Sequence, residues 1–228
     1  MFSQLLDVFR RPNPLTEMAT LFTEMMQTTY RMNRTAGKLV FENEIRSGEK
    51  KELFMADVSV NKNERELRRL AISHLAVGVD GSTIPYTLLL IHLVKDVERL
   101  GDYTKNLMEL RDFYKDPFPS GSDADELREI RKISDSAFSV VREVLEGKDH
   151  DQAMEWIRQL KDVGSRCDQL LPAIAASGAP TADAVLLTAC ARYYKRISGH
   201  LLNLFTSVVM PLHKVDYFDE DGIEPDSN

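Results

Sequence analysis

In this 228-residue chain, the side chains whose types and spacing suit chemistry are mostly carboxylates on two separate stretches. Asp57, Asn61 and Glu64 follow one another at steps of four and three, and Glu98 and Asp102 stand four apart. On a helix such steps share a face. Leu53, Val60, Leu67, Leu70, Ala71 and Leu75 define the apolar face of the first stretch. Asp57 and Glu64 fall within about 60° of its centre, with Asn61 beside them. A carboxylate at the margin of a core needs a cation, because burying it bare is costly. Arg68, four residues on, supplies one to Glu64, whereas Val60 and Asn61 occupy the equivalent places after Asp57.

An antiparallel neighbour carrying Glu98 and Asp102 would bring three carboxylates and an amide together. That all-oxygen set suits a hard or borderline cation such as Mg²⁺, Mn²⁺ or iron. The competing reading of Glu98 and Asp102 is a solvated face, where two like charges one turn apart repel. Spacing leaves both readings open. Catalytic patterns are missing: His74, His92, His150, His200 and His213 are scattered, and no nucleophile–base set, phosphate-cradling glycine loop or H-E-x-x-H pair occurs. Cys167 and Cys190 form no C-x-x-C pair and read as buried, reduced thiols. The expectation is a protein that is not an enzyme.

The elements that must position these residues read as helices throughout, so the expected fold is all-α. A short amphipathic piece spans 2–11 within an N-terminal extension, 1–15. Helices are expected over about 16–45, 50–77 and 85–114, the last opened by Pro85. The Pro/Gly/Ser-rich stretch 115–124 is a linker. Three more helices follow, over about 125–146, from the turn at Gly147 and Lys148 to about 176, and over 181–209. The expectation is two antiparallel three-helix bundles in tandem, 16–114 and 125–212, and an acidic, disordered tail over 213–228.

Charge supports this division. The chain has 29 basic and 36 acidic residues, a net −7. Residues 213–228 hold six acids against Lys214, so −5 of the −7 belongs to the tail. An acidic balance argues against nucleic-acid binding, which needs a basic footprint. Leu88–Val94, the most apolar run, is broken by His92 and too short for a membrane span. A cytoplasmic location is expected.

The same residues resemble the PhoU family of phosphate-signalling proteins. D-V-S-V-N-K-N-E at 57–64 matches that family's D-x-x-V-N-x-x-E, and V-E-R-L-G-D-Y-T-K-N-L at 97–107 is similar to its E-R-[IL]-G-D motif with a downstream Asn. The second half resembles a degenerate repeat. Lys195 stands where Glu98 does and Gly199 where Asp102 does, while Arg196 and Asn203 keep the places of Arg99 and Asn106. Asp168 corresponds to Asn61 and Gly164 to Asp57. The resemblance implies tandem three-helix bundles that assemble as homodimers. It implies a metal ion (Fe, Mn, Mg or Zn) held by Asp57, Glu98, Asp102 and Asn61, with Glu64, Arg68, Arg99 and Asn106 as motif support. Because the second half lacks the acids, metal is expected in the first half only. The implied function is a regulatory adaptor that restrains phosphate uptake or starvation signalling. It would contact a phosphate transporter subunit or a membrane sensor kinase, meeting the membrane only peripherally through that partner. The alternatives are a helical scaffold, an accessory subunit of a sodium–phosphate cotransporter and, least favoured, a carboxylate–metal enzyme.

Overall fold

A computed structural model describes residues 14–44, 48–76 and 81–215. The amphipathic piece at 2–11, parts of the turns after the first and second helices, and the tail from 216 on lie outside these residues. The described residues form six long helices: α1 Pro14–Gly37, α2 Glu49–Ala76, α3 Ile84–Phe113, α4 Ser122–Gly147, α5 His150–Ala176 and α6 Thr181–Val209. The described residues contain no strand.

Local chemistry accounts for the ends. Pro85 sits in the first turn of α3, where its missing N–H costs nothing. The Asp149 carboxylate caps α5 by accepting from the Gln152 amide at 2.9 Å. Lys148, at φ 51°, closes α4 in the left-handed conformation.

The first helix departs from expectation at its C-terminus. A single run to residue 45 was expected; instead α1 stops at Gly37 and passes into a π-helical turn, Lys38–Glu42, ended by left-handed Asn43. Leu39, Val40 and Phe41 are all buried here. Three successive residues cover roughly 200° of a helical wheel, more than one contact face, and the wider turn lets all three meet neighbours. Phe41 packs on Phe118 of the linker at 4.3 Å between centroids and on Tyr194 of α6 at 6.0 Å.

The bundles do not stand apart. One apolar cluster runs through both, with α3 lying along α6. At that seam buried Asp96 accepts from Asn203 Nδ2 at 2.9 Å and meets His200 Nδ1 at 2.8 Å, and Tyr103 stacks on the same imidazole. The linker is also tied down. Tyr114 donates to Asp183 Oδ1 at 2.8 Å, Arg111 to the Asp116 carbonyl at 2.7 Å, and Arg128 to the Pro119 carbonyl at 2.9 Å.

Candidate functional site

Helices α2 and α3 run antiparallel, so residues early in α2 face residues late in α3. This register brings the acids together. Asp57 and Glu64 are buried on α2; on α3 Glu98 is at the edge of burial and Asp102 is half-buried. Between them Gly101 is buried on α3, facing Thr29, Met32 and Val60.

Each acid meets a cation there. Lys105 Nζ lies 2.8 Å from Asp57 Oδ2 and 3.6 Å from Asp102 Oδ1. Lys95 Nζ lies 2.8 Å from Glu98 Oε2 and 4.0 Å from Glu64 Oε1. Each lysine therefore bridges one acid of α2 to one acid of α3. Arg99 adds a bond to Asp102 Oδ2 at 2.9 Å and approaches Glu98 at 3.6 Å. Arg68 Nη2 sits 2.9 Å from Glu64 Oε1, near enough for charge attraction without the alignment of a hydrogen bond. Four carboxylates face four cations, and the seam is formally neutral.

Burial by itself would push the Lys105 ammonium down, but the hydrogen bond it donates to Asp57 and the charges of Asp57 and Asp102 outweigh it and hold it above its ordinary range. The ammonium stays charged at neutral pH.

The residues expected as metal ligands are thus collected on one seam but do not form a chelate. Among the described residues no group of three or more His, Cys, Asp or Glu side chains is placed to hold a metal ion. The cause is the lysines: Asp57, Asp102 and Glu98 already direct oxygens at ammonium groups. Half-buried Asn61 accepts from Arg65 Nε through its backbone carbonyl at 3.2 Å. As arranged, this set does not fit a metal. Glu64 is held by Arg68 as expected, and Arg99 braces both acids of its own motif. Asn106 is half-buried on α3.

The sequence reading missed Lys95 and Lys105. Their signal was present: each stands three residues from an acid of the same helix, Lys95 before Glu98 and Lys105 after Asp102. In the second half Lys195 pairs with Asp168, and a side chain at Gly164 or Gly199 would meet open space. That seam carries one exposed ion pair in place of the four-acid set.

Fold and seam together define the class: tandem three-helix bundles with a charge-balanced seam in the first. Residues 15–110 match the PhoU domain. The first bundle therefore carries a PhoU domain. Two solved structures align across both bundles. PhoU from Pseudomonas aeruginosa is 18% identical, with a TM-score of 0.75 over 88% of this chain and 97% of that one. The phosphate transport system regulatory protein PhoU from Streptococcus pneumoniae is 13% identical, with a TM-score of 0.69 over 90% and 97%. No curated protein is significantly similar in sequence. Among the described residues no helix is long and apolar enough to cross a membrane.

Proposed function

We propose that this protein is a phosphate-responsive regulatory adaptor, one that restrains phosphate uptake or phosphate-starvation signalling by contacting a transporter subunit or a sensor kinase. The observation that carries this reading is the PhoU domain at 15–110, set in a fold that spans nearly all of two PhoU structures. The site chemistry agrees with a binding role. The seam acids are neutralised by lysine and arginine, and both cysteines are buried, with burial pushing the Cys167 thiol up to about 12. Neither group supplies an activated nucleophile.

The test is a clean deletion in phosphate-replete cells. Phosphate uptake or starvation-gene transcription should rise, and re-expression of the intact chain should reverse it. Unchanged uptake together with unchanged transcription would reject the regulatory reading and favour a scaffold. Pull-down of a transporter subunit or a sensor kinase with the tagged protein identifies which contact is made.

A further inference from the structure

We propose that Lys95 and Lys105 are built-in cations that close the α2–α3 seam, so that the first bundle is complete and stable without a metal ion. The inference stands on the seam geometry and is independent of the regulatory reading.

The geometry of the Lys105 bridge carries the argument. Its nitrogen lies between Asp57 Oδ2 and Asp102 Oδ1, at 2.8 and 3.6 Å. A divalent ion ligated by the same two oxygens would need distances of about 2.0–2.6 Å. That places it on the ammonium or directly against it. Either the lysine leaves Asp57, which is buried, or two like charges share a half-buried space; both outcomes are unfavourable. Lys95 repeats the arrangement two turns along α2, between Glu64 and Glu98. Arg99 takes up Asp102 Oδ2 by a hydrogen bond, and Arg68 meets Glu64 by charge attraction alone.

The two bridges are not equal. The Lys105 side chain is 23% exposed and the Lys95 side chain 44%. Lys95 can swing into solvent at small cost; Lys105 is the firm member, and the test centres on it.

Purified full-length protein is assayed for bound Mg, Mn, Fe and Zn, and melted in EDTA and in excess Mn²⁺ or Mg²⁺. Wild type should carry well under one metal per chain and melt at the same temperature in all three buffers. Lys105→Met should melt lower by about 5 °C, as expected when one partner of a largely buried pair is removed from a chain of this size. Mn²⁺ should recover part of that loss, because the vacated place between two carboxylates then accepts a cation. The double variant Asp57→Asn with Lys105→Met should melt closer to wild type and ignore Mn²⁺, since no unpaired carboxylate remains. Lys105→Arg, which keeps the charge and folds if the cation is what matters, should stay insensitive to EDTA. A wild-type melting point lowered by EDTA would overturn the proposal. So would stoichiometric metal that is lost in Asp57→Asn, or a Lys105→Met variant that Mn²⁺ fails to recover.

Discussion

Gly101, inside the E-R-L-G-D motif, offers a quantitative test of how α3 packs. The residue is buried mid-helix, where glycine is about 1 kcal/mol less favourable than alanine. A Cβ added there would lie 3.5 Å from Thr29 Cγ2, 3.7 Å from Val60 Cγ1 and 3.8 Å from Met32 Cε. These are ordinary van der Waals contacts, so a methyl group fits without displacing a neighbour. Burying that methyl contributes up to about 0.8 kcal/mol more. Gly101→Ala should therefore stabilise the protein by about 1–2 kcal/mol. At 2–4 °C per kcal/mol for a chain of about this length, the melting temperature should rise by roughly 2–8 °C. Gly101→Leu supplies the contrast. Its further carbons have the same three side chains in their way, and overpacking should cost about 1–3 kcal/mol. Thermal melts followed by circular dichroism, with urea titrations to check that the m-value is unchanged, measure both. If Gly101→Ala melts below wild type, α3 approaches α1 and α2 more closely than described here, and the reasoning fails.

Three further outcomes follow from other parts of the fold. Asp96→Ala removes the shared acceptor of His200 and Asn203 between the bundles; it should cost about 2–3 kcal/mol in chemical denaturation, as for hydrogen bonds to a charged group. Burial depresses the His74 pKa below its ordinary 6.5, so its neutral form is favoured in the fold. The stability that depends on this is complete above 6.5 and is lost as pH falls through 6.5 toward the depressed folded value. His74→Gln should flatten that part of the wild-type pH–stability curve. Cys167 and Cys190 are both buried, and burial raises both thiols. At pH 8 a thiol-specific chromogenic reagent should label less than about a tenth of them in the native protein and both after denaturation.

Much of this molecule is legible in the order of its residues. Helical periodicity gave six segments, Pro85 marked the start of α3, and the 115–124 stretch separated two sets of three helices. The acids of the seam were also readable, because Asp57 and Glu64 sit beside an apolar face where bare carboxylates are costly. Arg68 followed from the same local rule, being one turn from Glu64. Local rules reach only about one turn, however. Lys105 lies 48 residues from Asp57, and it meets that acid only because α2 and α3 are antiparallel in one particular register. Asp96 is 104 residues from His200 and 107 from Asn203, joined by the packing of α3 on α6. The π turn at Lys38–Glu42 likewise depends on what surrounds it: Phe41 is drawn inward by Phe118 and Tyr194, which come from the linker and the last helix. The sequence by itself determined which faces are charged and which are apolar, since those follow from residue type and helical period. Only the tertiary structure decided which charge meets which: pairing across helices depends on register and approach distance, and these are set by packing throughout the core.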